Sequence, residues 1–135
     1  MPKFSKNSQS RLGTCDKRLQ EICEEAIKIY DFTVLEGYRS LESQKVLYDL
    51  GFSKVKEGSH NTKPSKAVDV QPYPVPKNDW RDEKHIRRFY FLAGIILTIA
   101  HQKNIEIRWG GDWDRDYNYM DNDFDDLFHF EIVGD

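Results

Sequence analysis

Three side chains of the types that bind zinc stand far apart in this sequence of 135 residues. His60 and Asp69 lie on either side of a turn, and His129 lies near the C-terminus. Two imidazoles and one carboxylate can form a catalytic zinc site, in which a fourth position stays open for water. Asp126, three residues before His129, is placed to act there as a general base. The alternative is that Asp126 is one more solvated acid in an acid-rich loop.

Two predicted strands would bring these ligands together. Residues 67 to 71 are predicted to form a short strand with its valines on one face, so that Asp69 points to the other face. Residues 126 to 133 are predicted to form a second strand, with an apolar face and with His129 opposite it. If the two strands pair, facing Cβ atoms lie about 4.5–5.5 Å apart, which is near enough to share one ion. His60 would fold back towards them across the turn.

Three further side chains are candidates for the same cleft. Arg39 stands between a predicted strand over residues 32 to 35 and a predicted helix over residues 41 to 50, where a guanidinium can reach into a cleft. Gln44 lies one turn into that helix and is a candidate substrate ligand. Tyr73 lies in a proline-rich run that cannot form regular sheet or helix, so a rigid loop is predicted. Tyr73 is either a substrate contact or a residue of a plain connecting loop.

Short motifs follow one another in a fixed order along nearly the whole chain. They are Gly37-Tyr38-Arg39-Ser40, His60, Ala67-Val68-Asp69, Trp109-Gly110-Gly111-Asp112-Trp113 and Asp126-Leu127-Phe128-His129. In this combination the sequence resembles the M15 zinc peptidases. That family includes D,D-carboxypeptidases of the VanY type and the L-alanyl-D-glutamate endopeptidases that bacteriophages use as endolysins. The family usually has Ser-x-His at the first ligand, whereas Ser59 here directly precedes His60.

The resemblance implies both the chemistry and the roles of these residues. Zinc would be held by His60, Asp69 and His129, Asp126 would act as general base and acid, and Arg39 would stabilise the oxyanion. The implied substrate is the stem peptide of bacterial peptidoglycan, and the implied fold is the single domain of Hedgehog and DD-peptidase proteins. Cleavage of the L-Ala–D-Glu bond is expected from the likeness and the small size of the chain.

Other functions stay open at this point. A D-alanyl-D-alanine carboxypeptidase would share every site residue. A non-catalytic module that binds the cell wall or a metal would keep the fold without turnover, and the presence of Asp126 argues against it. A structural protein of the virion is a third alternative.

Composition restricts the compartment and the partners. A chain of this length forms one domain, residues 1 to 135, and its net charge of −3 argues against broad binding to nucleic acid. No apolar run is long enough to insert into a membrane, and the N-terminus lacks the apolar core of a signal peptide. We therefore expect a monomer that waits in the host cytoplasm until a separate pore-forming protein releases it. Cys15 and Cys23 are expected to be reduced.

The remaining pattern predicts an α+β fold with an antiparallel sheet, helices packed on one side and zinc on the exposed face. Residues 1 to 13 are expected to be an extended polar lead-in, followed by a helix capped by Thr14 or Asp16. A long core helix is predicted from Trp80 to Gln102 with Asp79 as its cap.

An acidic segment follows the Trp-Gly-Gly motif, and its role is open. Asp112, Asp114 and Asp116 alternate as at the start of an EF-hand loop, but Tyr117 replaces the required glycine and Asp123 the final glutamate. A mobile loop beside the active site is therefore expected rather than a specific calcium site. Whether residues 112 to 126 bind a regulatory cation is not decided by the sequence.

Overall fold

A computed structural model describes residues 2–53, 58–76, 82–116 and 126–134. Within these residues the helices are α1 (Lys6–Leu12), α2 (Lys17–Ile27), α3 (Leu41–Asp49) and α4 (Glu83–Gln102), with a 3-10 turn at Ser59–Asn61. The strands are β1 (Phe32–Glu36), β2 (Ala67–Pro72), β3 (Ile107–Gly110) and β4 (Asp126–Ile132). They form one antiparallel sheet in the order β1-β2-β4-β3. The predicted α+β fold is confirmed.

One face of the sheet forms the hydrophobic core. Helix α4 packs on β2, β3 and β4, and α2 packs on α4. Val68 and Val70 of β2 are fully buried on this side, as the alternation predicts. Burial of each large apolar side chain contributes roughly 1.5–3 kcal/mol. This packing fixes which face of β2 and β4 stays available for polar side chains.

The expected extended lead-in over residues 1 to 13 is wrong, because residues Lys6–Leu12 form helix α1. The Ser5 hydroxyl caps it by accepting a hydrogen bond from the backbone N–H of Ser8 at 3.1 Å. The helix is anchored to β1 by the Ser8 hydroxyl, which accepts from the backbone N–H of Val34 at 3.1 Å. Its sequence is polar apart from Leu12, so no hydrophobic periodicity indicated a helix.

The start of the long helix also differs from the prediction. Helix α4 begins at Glu83, and its cap is Asp82, whose carboxylate accepts from the backbone N–H of Lys84 at 3.0 Å. Asp79 and Trp80 lie outside the described residues. Asp16 caps α2, as predicted, and Ser40 caps α3 by accepting from the backbone N–H of Ser43 at 3.1 Å.

Both cysteines are free and buried. Cys15 precedes α2 instead of lying on it, and its backbone bridges to Ser65. Burial raises the pKa of Cys15 to about 12, and it also raises the pKa of Cys23. Both thiols are therefore protonated at neutral pH. None of the helices in the described part of the chain combines the length and the apolar character needed to cross a membrane.

Candidate metal centre

The three side chains predicted to bind zinc meet on the polar face of the sheet. Asp69 of β2 and His129 of β4 are register partners across the antiparallel pair. Asp69 Oδ1 lies 3.2 Å from His60 Nε2 and 3.3 Å from His129 Nδ1. The potential ligand atoms of the three residues all lie within 4.8 Å of one another. The structure thus brings together residues that lie far apart in the sequence.

In each imidazole, the ring nitrogen that does not face Asp69 lies within hydrogen-bonding distance of an acceptor. His60 Nδ1 lies 2.6 Å from the backbone oxygen of Gly37, and His129 Nε2 lies 2.7 Å from Glu131 Oε1. Each of these two nitrogens must therefore carry the proton, because a carbonyl or carboxylate oxygen can only accept. In a neutral ring the other nitrogen then carries a lone pair. That nitrogen is Nε2 in His60 and Nδ1 in His129, and both face Asp69.

The orientation of the two rings and the types of donor atom can be compared with those of protein metal sites. Two lone pairs pointed at one carboxylate oxygen repel it, unless a cation or extra protons lie between them. Metal-ligating histidines in proteins typically donate the other N–H to a carboxylate or a backbone carbonyl, as both rings do here. The donor set of two imidazole nitrogens and a carboxylate oxygen suits zinc. The side chains therefore fit a bound divalent metal.

The charges of Asp69 and His129 stabilise each other. Burial alone would raise the pKa of Asp69, but the hydrogen bonds from His129 and His60 outweigh it and hold the pKa well below its usual range. Burial alone would lower the pKa of His129, but its bonds to Asp69 and Glu131 raise the pKa to about 9. Positive charge on the His129 imidazole thus compensates the buried carboxylate of Asp69.

A break in the β3–β4 register explains how Asp126 joins the site. Trp109 pairs with Phe130, but the next residue of β3, Gly110, pairs with Asp126, so β4 bulges between them. An added Cβ at Gly110 would lie 1.9 Å from the Asp126 backbone oxygen, so glycine permits this close approach. Burial and the charge of Asp69 raise the pKa of Asp126, and the charges of His129 and His60 oppose the rise. Asp126 therefore lies within electrostatic reach of all three candidate ligands.

Arg39 is held beside the carboxylate of Asp69 by hydrogen bonds to two other side chains. Its Nε and Nη2 donate to the two oxygens of Glu36 at 2.8 and 2.7 Å, and its Nη1 donates to Gln44 Oε1 at 2.7 Å. Its Nη2 also lies 3.5 Å from Asp69 Oδ2. A bulge in β1 permits this, because it places Glu36 opposite Asp69. The bond to Glu36 raises the pKa of Arg39, so its charge is permanent.

Comparison with known proteins decides the family. Residues 1–133 match the family of phage L-alanyl-D-glutamate peptidases. The chain belongs to this family. This confirms the resemblance drawn from the motifs, and the family is one of peptidoglycan endopeptidases. A comparison with curated proteins finds no match.

Two solved structures are similar to this peptidase. The L-Ala D-Glu endopeptidase ChiX of Serratia marcescens is 23% identical, with a TM-score of 0.73 over 96% of this chain and 89% of that chain. At this identity the likeness supports the fold alone, and it agrees with the sheet described above. The LD-carboxypeptidase LdcB is 17% identical, with a TM-score of 0.47 over 87% of this chain and 56% of that chain.

The structure gives Gln44 and Tyr73 of this peptidase different surroundings. Gln44 is buried and contacts Arg39 and Ser53, so it lies behind the guanidinium. Tyr73 is exposed and follows β2, about 13 Å along the chain from Asp69 at 3.3 Å per residue. Direct substrate contact stays a prediction for both residues.

Three residues around the candidate metal site were given no role there from the sequence. Glu36 holds Arg39, Glu131 holds His129, and the Trp113 ring lies 5.5 Å from the His129 ring between centroids. Glu131 was detectable, because it stands two residues after His129 on the same face of β4. Glu36 was not, since its orientation depends on the bulge in β1.

The acidic segment forms a second cluster of carboxylates. Asp112, Asp114 and Asp116 have oxygens within 4.8 Å of one another, with Asp112 buried and the other two exposed. Exposed acids often gather without a cation. The remaining positions of the EF-hand comparison, Tyr117 and Asp123, lie outside the described residues.

The two other histidines belong to α4. His85 is buried, where its Nε2 lies 3.3 Å from the Gln71 amide nitrogen and its Nδ1 lies 3.2 Å from an Arg88 nitrogen. His101 is exposed near the end of the helix. Neither residue belongs to the group of three candidate ligands that the described residues form in the sheet.

Proposed function

We propose that this peptidase is a zinc-dependent L-alanyl-D-glutamate endopeptidase that cleaves the peptidoglycan stem peptide and acts as a phage endolysin in host lysis. The observation that carries the proposal is the convergence of His60, Asp69 and His129 around one point, in a chain of this family. Zinc, when bound, supplies a Lewis acid that polarises a carbonyl group and makes water more acidic.

The remaining steps belong to side chains of the protein. Asp126 takes the proton of the attacking water and returns it to the leaving amine, as a general base that becomes a general acid. Burial and the charge of Asp69 raise the pKa of Asp126, which makes the carboxylate a stronger base than a solvated aspartate. Arg39 directs positive charge to the site, where negative charge develops on the scissile carbonyl oxygen.

The proposal extends to the partners and the location of the enzyme. The substrate partner is the stem peptide, and the net charge of −3 supports the absence of nucleic-acid binding. We propose a monomer that stays in the host cytoplasm until the membrane is opened by another protein. Membership of a phage family supports this location.

The bond that is cleaved can be tested by mass spectrometry of purified peptidoglycan digested with the protein. The expected products are glycan strands that retain only L-Ala and free peptides that begin with D-Glu. A chelator should abolish both products, and added zinc should restore them. Release of D-Ala alone would instead identify a D-alanyl-D-alanine carboxypeptidase. Unchanged muropeptides in the presence of zinc would support a non-catalytic wall-binding module or a virion structural protein.

Arg39→Lys is expected to lower kcat on peptidoglycan fragments by about 10²–10³-fold, the usual cost of losing an oxyanion donor. A lysine keeps the charge but cannot bind Glu36 and Gln44 at the same time with a planar fork. The matched control is Arg87→Lys on the exposed face of α4, where the pair with Glu83 is solvated and activity should be unchanged. Equal kcat values for the two variants would remove Arg39 from the mechanism.

A further inference from the structure

The carboxylate of Glu131 links the two histidine segments. Its Oε1 accepts from the His129 ring at 2.7 Å and from the Ser59 hydroxyl at 3.3 Å. Ser59 directly precedes His60, so one carboxylate oxygen is bonded to one candidate ligand and to the neighbour of the other. The second oxygen, Oε2, lies 3.6 Å from Arg108 Nη1.

The neighbouring strands of the sheet determine the surroundings of the Glu131 carboxylate. Glu131 of β4 lies between Ala67 of β2 and Arg108 of β3, which are its register partners on either side. Ala67 is small and fully buried. Arg108 partly neutralises Glu131, whose side chain is only 20% exposed. Burial alone would raise the pKa of Glu131, but the bond from His129 outweighs it and lowers the pKa.

We infer that Glu131 positions both imidazoles for the metal, a role that rests on the zinc dependence proposed above. By accepting the Nε2–H of His129, it directs Nδ1 towards Asp69 and increases the basicity of the ring. By accepting from Ser59, it fixes the backbone next to His60, whose own ring is held by Gly37. This contact gives a function to Ser59, which departs from the usual Ser-x-His spacing. Glu131 is thus a positioning residue that acts through the ligands.

The test is zinc affinity, measured by competition with a fluorescent chelator, which does not depend on turnover. Glu131→Ala is expected to bind zinc about 10–100-fold more weakly than the wild type. Glu131→Gln should lose less, because its amide oxygen can still accept the imidazole N–H. Ser59→Ala should lose less again. The control is Glu106→Ala, an exposed acid just before β3, which should leave the affinity unchanged.

Thermal unfolding in excess chelator separates positioning from a structural role. If Glu131→Ala lowers the Tm of the metal-free protein but the folded protein keeps wild-type zinc affinity, the inference is overturned. Equal affinities for all the variants would overturn it as well. If Glu131→Ala does not fold, the zinc affinity of Glu131→Gln is compared with that of the wild type instead, and equal affinities would overturn the inference. A wild-type protein that binds no zinc would overturn both this inference and the proposed zinc dependence. Wild-type binding with unaffected variants would overturn only this inference.

Discussion

An Asp126→Ala variant is expected to cleave peptidoglycan about 10²–10⁴-fold more slowly than the wild type, because a positioned general base contributes that much to the rate. The carboxyl group lies within the field of Asp69, His129 and His60 and is largely removed from water, which raises its pKa. Alanine removes the proton acceptor without touching the three candidate ligands. The loss should therefore appear in kcat, while zinc affinity stays unchanged.

Turnover of a defined muropeptide and zinc content, measured on the same preparation, check this expectation. Asp126→Asn keeps the shape of the side chain but cannot accept the proton, so it should be as slow as alanine. Asp114→Ala, an exposed acid of the neighbouring cluster, is the control and should be fully active. If Asp126→Ala cleaves the muropeptide as fast as the wild type, the general-base role of Asp126 is wrong.

Asp69→Ala is expected to abolish both zinc binding and hydrolysis. Asp69 Oδ1 is the atom that both His60 Nε2 and His129 Nδ1 face. The substitution therefore removes the only carboxylate of the three candidate ligands. Loss of the Lewis acid removes several kcal/mol of transition-state stabilisation, which corresponds to a rate loss of at least about 10³-fold. Unlike Asp126→Ala, this variant should lose the metal and the activity together.

Metal analysis after dialysis against trace zinc shows whether the metal is bound by the His-Asp-His group or by the cluster of Asp112, Asp114 and Asp116. The wild type and Asp114→Ala should each retain one zinc per chain, and Asp69→Ala should retain none. Circular dichroism is needed to show that Asp69→Ala is folded, since it alters a buried network. A folded Asp69→Ala protein that keeps its zinc would contradict the assignment of the metal to the His-Asp-His group.

The convergence of the ligands could be predicted because it depends on local patterns. Alternation along β2 and β4 placed Asp69 and His129 opposite the apolar faces, and pairing of the strands then made them neighbours. The helix caps at Asp16 and Ser40 are equally local, since one side-chain oxygen satisfies the first free N–H groups.

The features that could not be predicted depend on distant parts of the chain. The bulges at Leu35 and between Asp126 and Phe130 arise from strand pairing, and they decide where Glu36 and Asp126 point. Helix α1 is held by a serine that bonds to β1, 26 residues away. The register of such contacts cannot be read from apolar periodicity.

His60, Asp69 and His129 are expected to hold one divalent metal. The most direct measurement is an anomalous difference map, recorded at the zinc absorption edge from a crystal of the zinc-loaded protein. We expect one peak, about 2.0–2.2 Å from His60 Nε2, from His129 Nδ1 and from a carboxylate oxygen of Asp69. A map with no peak at these atoms, or with a peak only among Asp112, Asp114 and Asp116, would contradict the claim.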